Sequence, residues 1–196
     1  MFYDTKGRGH GLPLDPFKAI VVPRPIGWIS TLSPSGLANL APYSFFNAFA
    51  GPPEYVAFGS GGMKHTLSNI EATGEFVVNL ATHPLREAMN ASSTTQSGDE
   101  FEIAGLTKAE SQLVKPPRVA ESPAALECRH FQTVALPDDE GAVDDWLVIG
   151  RVVGVYIDDR FIKAGRVDTA AMQPLARLGY AEYATIDRIW RMRRPD

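Results

Sequence analysis

Residues 59–66, in single letters GSGGMKHT, put glycines, two hydroxyls, a lysine and a histidine just ahead of a run that reads as a helix. This is the chemistry of a phosphate grip. Glycine lets a backbone approach a ligand closely, amide groups at a helix start favour an anion, and a lysine adds a full charge. Neither common phosphate motif is met. The Walker pattern needs Gly-Lys-Ser/Thr in succession, whereas Met63 precedes Lys64 and His65 separates it from Thr66. The dinucleotide fingerprint needs a glycine three positions after Gly61, where Lys64 stands. An ordinary strand-to-helix turn has the same composition, so this segment by itself leaves both readings open.

Other chemistries find less support. No Gly-x-Ser-x-Gly elbow occurs, and no local spacing singles out a nucleophile, base and acid. His10, His65, His83 and His130 include no pair at helical metal-ligand spacing, so no metal is expected. A single cysteine, Cys128, excludes an internal disulfide or a multi-thiolate site and reads as a small buried hydrophobe. The run Asp138-Asp139-Glu140-Gly141 lacks EF-hand spacing and reads as a solvated hairpin loop. Residues 39–53 mix aromatic and polar side chains without clean period 2 or 3.6, bracketed by prolines. They suit either an apolar plug or dimer contact, or a wall along a planar aromatic ligand that offers backbone groups to its polar edge.

The elements that must position these residues are short strands. Residues 26–32 and 37–41 predict a hairpin about a type I turn at Ser33-Pro34-Ser35-Gly36. Residues 55–59 read as a strand entering the glycine-rich loop. Thr66 is expected to cap a helix through Glu71, and Gly74 to stop it. Residues 75–80 predict a strand and residues 84–90 a helix capped by Thr82. Residues 92–98 read as an exposed loop, and strands return at 125–131 and 146–157. Strands outnumber helices and do not alternate with them as a doubly wound sheet requires, so the expected fold is mainly β, a barrel with a few short peripheral α-helices.

At 196 residues, with no repeat or long linker, the chain is expected to form a single domain over 1–196. The formal charge of −4 gives no surplus to neutralise a nucleic-acid backbone, so no nucleic-acid partner is expected. The basic cluster Arg188, Arg191, Arg193 and Arg194 reads as a solvated strand end. The first residues lack the apolar core of a secretory signal, and no apolar run approaches the roughly 20 residues that span a bilayer. The expected compartment is therefore the cytoplasm, with no membrane partner.

The residues become specific in combination. The stretch 23–31 (PRPIGWIST), Gly36 and 39–47 (NLAPYSFFN), then Lys64-His65-Thr66 with Asn69-Ile70 and 74–79 (GEFVVN), resemble in order and spacing the flavin reductase-like family of FMN-binding split barrels. The likeness continues through Asp99-Glu100-Phe101, Gly105-Leu106-Thr107, Glu127-Cys128 and residues 174–180 with Tyr183, nearly the whole chain.

The resemblance implies a Greek-key type split β-barrel that pairs as a homodimer and binds FMN near the subunit interface. It implies that Asn39 with Ala41, Pro42, Tyr43, Ser44 and Phe45 lies against the ring and ribityl chain, with Ser30 and Thr31 close by. Ser60, Lys64, His65 and Thr66 would form the phosphate end, and Arg24 and Arg177 would be neighbours. Relatives carry Asp where this chain has His65. An imidazole can donate a hydrogen bond and suits a phosphate better than a carboxylate does. The implied activity is that of an FMN-dependent oxidoreductase, most simply an NAD(P)H:flavin reductase. Its reduced flavin would serve an oxygenase partner or another acceptor. No catalytic side chain is needed, because the cofactor carries the chemistry. The backbone N–H groups of residues 42–46 are candidates to face the reduced ring. A non-enzymatic FMN-binding or storage module is the alternative, and an interaction domain whose glycines only make a turn is a third.

Overall fold

The computed structural model describes residues 1–7, 9–96 and 98–195. Its strands in chain order are β1 Arg24–Pro25, β2 Gly27–Leu32, β3 Ala38–Tyr43, β4 Phe46–Ala50, β5 Tyr55–Gly61, β6 Glu75–Leu80, β7 Lys108–Ala109, β8 Arg118–Val119, β9 Ala124–Pro137, β10 Val143–Ile157, β11 Ile162–Lys163, β12 Arg166–Val167, β13 Leu175–Arg177 and β14 Tyr183–Thr185. The helices are α1 Phe17–Ile20, α2 His65–Thr73, α3 Arg86–Ala91, α4 Glu100–Ile103 and α5 Thr169–Met172.

The expected hairpin forms, with Gly27 opposite Tyr43 and Leu32 opposite Ala38. Its turn closes through Gly36 N–H to the Ser33 carbonyl at 2.9 Å, and Gly36 takes φ 86°, a conformation that glycine adopts without a steric penalty. Seven antiparallel strands follow the order β3-β2-β6-β9-β10-β5-β4. The sheet curls until its ends meet. Tyr43 on β3 lies 4.7 Å, ring to ring, from Phe58 on β5, and Gly59 N–H reaches the Phe45 carbonyl at 2.7 Å. A separate three-stranded sheet, β1-β13-β14, joins the C-terminal region to the residues that open β2.

Both faces of β2 are buried, which explains why its sequence is apolar or small nearly throughout. Ile29 faces an inner core with Tyr43, Phe58, Phe76, Cys128 and Val148, into which α2 inserts Leu67 and Ile70. Trp28 faces an outer core with Leu40, Met89, Phe101 and Val119. Burying Leu67 and Ile70 completely stabilises the docked helix by about 1.5–3 kcal/mol each. Cys128 is fully buried, as expected for a small hydrophobe, and burial followed by the neighbouring Glu127 charge drives its thiol far above the ordinary range. That thiol is inert.

Several elements depart from the sequence expectation. Residues 59–61 belong to β5, paired with Leu147, Trp146 and Asp145 of β10, so the glycines are strand and only Gly62, at φ 82°, turns the chain. Thr66 does not cap α2. Lys64 occupies the N-cap position, and the helix runs on to Thr73 before Gly74 stops it at φ 74°. It runs two residues past the expected end at Glu71, and Gly74 closes it with its N–H on the Ile70 carbonyl.

Residues 39–53 contain β3 and β4, whose pairing to different neighbours hides the period. Thr82 makes no side-chain cap, because a 3₁₀ turn, His83–Leu85, precedes α3. Residues 91–117 hold α4, capped by Asp99 through Phe101 N–H at 3.0 Å, and strand β7, which pairs with β8. Both β9 and β10 extend beyond the expected bounds and meet at the expected acidic turn. The arginine-rich residues 187–195 are exposed and carry no strand. Among the described residues, no helix is long and apolar enough to cross a membrane.

Candidate functional site

The start of α2 meets the barrel wall at a set of buried polar groups. Strand alternation turns Phe58 and Ser60 of β5 inward and leaves Gly59 facing out, so Ser60 lies fully buried beside the first turn of the helix. Thr66 is also buried, and its hydroxyl accepts from Asn39 Nδ2 at 3.0 Å. Among the described residues, the Thr66 hydroxyl donates to nothing. Ser60 Oγ donates to the Gly62 carbonyl at 3.1 Å. Tyr43 reaches toward both from β3. Its hydroxyl is buried, has no hydrogen-bond partner among the described residues, and sits beside the Thr66 and Ser60 hydroxyls without reaching bonding geometry.

Burial pushes the Tyr43 phenol above its ordinary pKa, against the opposing pull of those hydroxyls. The phenol is therefore a neutral donor with nothing to donate to. An orphaned buried hydroxyl costs about 1–3 kcal/mol, so it needs an explanation in the form of an absent acceptor. The helix start asks for the same group. No side chain caps α2, leaving its first amides without side-chain acceptors, and Lys64 and His65 are exposed at that end. An oxyanion fits this donor set. Nearby carboxylates are Glu100, which accepts from Leu40 N–H and whose charge raises the Tyr43 pKa, and Asp145 of β10, whose Oδ1 comes within 3.3 Å of the place a Cβ on Gly61 would take.

Behind this cluster a second polar layer fixes the strands. Thr31 is fully buried and accepts from Asn69 Nδ2 at 3.0 Å, tying α2 to β2. Ser30 is fully buried on the other face. It donates to the Pro117 carbonyl at 2.6 Å and receives Asn79 Nδ2 at 3.2 Å. Asn79 also serves the Trp28 carbonyl at 3.0 Å and the Val119 N–H at 2.8 Å. Ser30 thus belongs to the frame of the barrel, one layer away from the Tyr43 hydroxyl.

The remaining expected residues line the outside of the wall. Ala41 and Pro42 are half-buried, and Pro42 has no N–H, which leaves Tyr43, Ser44, Phe45 and Phe46 to supply backbone donors in that stretch. Phe45 is half-exposed and rests on Gly59, where an added Cβ would come within 3.2 Å of Phe45 Cβ. With Leu136, Asp144 and Trp146 it borders a cleft of about 390 Å³. Ser44, Pro42, Arg177 and Tyr183 line a smaller cleft of about 100 Å³. That space shares Met89, Asn90 and Tyr183 with a neighbour of about 300 Å³ bordered by His83 and Arg86.

Arg24 and Arg177 face each other across the β1–β13 ladder. Arg24 is buried and donates to the carbonyls of Lys18, Val21 and Leu178, while its Nε has no partner among the described residues. Burial, then the Arg177 charge, lowers its pKa. Arg177 stacks over Tyr183 at 4.4 Å. Neither arginine forms an ion pair among the described residues.

The structure thus brings Asn39, Tyr43, Ser60 and Thr66 into one buried cluster at the Lys64–His65 end. It gathers Pro42, Ser44 and Arg177 at the smaller cleft, Phe45 beyond them, and holds Ser30 apart. Sequence reasoning gave no site role to Asn69, Asn79, Trp146 or Tyr183, although Asn69, Asn79 and Tyr183 stand in the stretches that carry the family resemblance. Asn79 was legible in principle, since an amide in the apolar strand 75–80 requires buried partners. The other three depend on register.

Comparison with known proteins identifies relatives of this fold. A family model described as the flavin reductase like domain matches residues 20–173. Nitrilotriacetate monooxygenase component B from Bacillus cereus superposes with a TM-score of 0.87 at 26% identity, over 98% of this chain and 99% of that one. The Pseudomonas fluorescens 2-nitrobenzoate 2-nitroreductase NbaA gives 0.87 at 27% identity, over 100% and 96%. A split barrel domain protein from Shewanella frigidimarina gives 0.83 at 24% identity, over 98% and 94%, and identifies the curled sheet as a split barrel.

Proposed function

The chain belongs to the flavin reductase-like family, and on that premise we propose that it is an FMN-dependent oxidoreductase acting as an NAD(P)H:flavin reductase. The observation that carries this reading is the unpartnered Tyr43 hydroxyl, buried beside the uncapped start of α2. FMN, when bound, supplies acceptance of a hydride from a reduced nicotinamide and release of its electrons to an acceptor.

The chain's own residues bind and orient. Lys64, His65 and the first amides of α2 hold the phosphate, and the Thr66 and Tyr43 hydroxyls donate to its oxygens or to the adjoining chain. Asn39 fixes the Thr66 oxygen so that its proton points at the ligand. Ala41, Pro42, Ser44 and Phe45 lie along the ring, with backbone N–H groups of the same stretch at its polar edge. Ser60, Thr31 and Ser30 keep the strands in place. Arg24 and Arg177 supply positive charge beyond the ring, and the joined clefts beside Tyr183 receive the nicotinamide. A homodimer is the expected assembly. The likeness to a monooxygenase component B supports an oxygenase as the partner that takes the electrons.

Purified protein is expected to be yellow and to bleach under anaerobic NAD(P)H. Colour that persists with excess donor would leave an FMN-binding module and remove the reductase. Tyr43→Phe separates binding from packing. Deleting an orphaned hydroxyl should leave the unliganded protein as stable as before or stabilise it by up to about 1 kcal/mol, read by urea denaturation. The same change should weaken FMN binding about tenfold in a fluorescence titration, as expected for a lost hydrogen bond to a charged group. A destabilised apoprotein with unchanged FMN affinity would show that the hydroxyl serves the fold instead.

A further inference from the structure

We propose that the C-terminal segment of a second copy of this chain, residues 188–194, docks on the tip of the β9–β10 hairpin, in a reciprocal clasp between two copies. The segment Arg188-Ile189-Trp190-Arg191-Met192-Arg193-Arg194 interleaves basic and apolar side chains. It is anchored no further than Ile186, whose N–H meets the Pro174 carbonyl at 2.9 Å. Beyond that bond every described residue is exposed, with Trp190 at 77% and Met192 at 78%. Trp, Met and Arg are the residue types enriched where proteins meet, and a tryptophan left in water forgoes most of its burial energy.

The hairpin tip has the opposite chemistry. Asp138, Asp139, Glu140, Asp144 and Asp145 surround the turn between β9 and β10. Among the described residues, neither these acids nor the four tail arginines take part in an ion pair. The tip is apolar beneath its charge, since Leu136, Pro137 and Trp146 line the cleft of about 390 Å³ together with Asp138, Asp144 and Asp145. A basic and apolar ribbon therefore matches an acidic and apolar cleft in both respects. Each exposed ion pair contributes little, so the arginines set register and association rate while Trp190 and Met192 supply burial.

Within one chain the tail stands in solvent and the cleft is open. Two copies related by a twofold axis can satisfy both at once, each giving a tail and receiving one. Phe45 borders the same cleft, so the clasp would close over the outer wall of the candidate site. The clasp does not depend on flavin binding.

Two charge reversals, each made in the whole chain, decide it. One variant carries Asp139→Lys, Glu140→Lys and Asp144→Lys, and the other Arg188→Glu, Arg191→Glu and Arg193→Glu. Asp138 is left alone because its carboxylate accepts from Glu140 and Ala142 N–H and holds the turn. Circular dichroism checks that both variants fold. In sedimentation equilibrium at 0.15 M salt, each alone should dissociate at least tenfold more readily than the parent, and the parent should weaken in 1 M salt.

Mixing the two variants restores every opposite-charge contact, so association should return to the parent level, with a hybrid dimer visible by native mass spectrometry. A tail folded onto its own hairpin predicts no rescue on mixing and would overturn the clasp, as would a monomeric parent or variants that associate normally. FMN titration of the same variants reads the proposed function separately.

Discussion

Adding one methyl group at Gly150 is expected to destabilise the protein by about 1–3 kcal/mol, the range for overpacking a well-filled core. A Cβ there would stand 2.2 Å from Phe76 Cζ and 2.6 Å from its Cε1, well inside contact distance. Phe76 cannot step aside, because it is fully buried and meets Phe58 edge to face at 5.9 Å. Phe58 in turn packs against Tyr43 at 4.7 Å with the rings tilted by 50°. A shift of the Phe76 ring therefore travels through Phe58 to the buried Tyr43 hydroxyl, which lacks a partner among the described residues.

Gly150→Ala should thus lower both the urea midpoint and the affinity for FMN. Phe76→Leu in the same background removes the ring atoms that collide, so the double variant should be more stable than the sum of the two single changes predicts. Neighbours that share a contact give such coupling, typically 0.5–3 kcal/mol. Strict additivity would mean that the collision is relieved elsewhere.

Lys64→Ala should lower FMN affinity by about 1–3 kcal/mol, roughly 5- to 150-fold, the range for a hydrogen bond to a charged group. The effect on folding should be small. Lys64 is exposed, and its side chain does not cap α2 although it occupies the N-cap position. Fluorescence quenching on titration with FMN measures the affinity, and a thermal melt of the apoprotein checks the fold. An unchanged affinity would remove Lys64 from the phosphate end and leave the helix amides as its holders. Raised salt should narrow the difference between the two proteins, since an exposed cation is screened.

The pieces of chain that carry chemistry were legible as residue types. Glycines followed by Lys64, His65 and Thr66 point to an anion, and the mixed character of 39–53 points to a wall. Their geometry was not. Gly59 and Gly61 turn out to be strand residues because Leu147 and Asp145 of β10 pair with them, and partners 88 and 84 positions away in sequence leave no local trace. Thr66 resembles an N-cap by type. Its burial against Asn39 places it at the second position of a helix that starts at His65, because docking of Leu67 and Ile70 outweighs the cap preference. Ser30 and Thr31 sit side by side in sequence and serve opposite faces, as alternation in a strand requires.

The amino-acid sequence alone determined that this chain makes a mainly β barrel, that it holds no disulfide or metal cluster of cysteines, and where its hairpin turn and helix stop lie. Those features follow from local rules: turn residues, β-branched runs, glycine at positive φ and the count of thiols. Only the tertiary structure decided that Tyr43, Ser60, Thr66 and Asn39 converge, that Arg24 faces Arg177, and that the arginine tail and the acidic hairpin form no ion pair among the described residues. Convergence depends on strand register and sheet curl, which are set by long-range burial on both faces of β2 and β6.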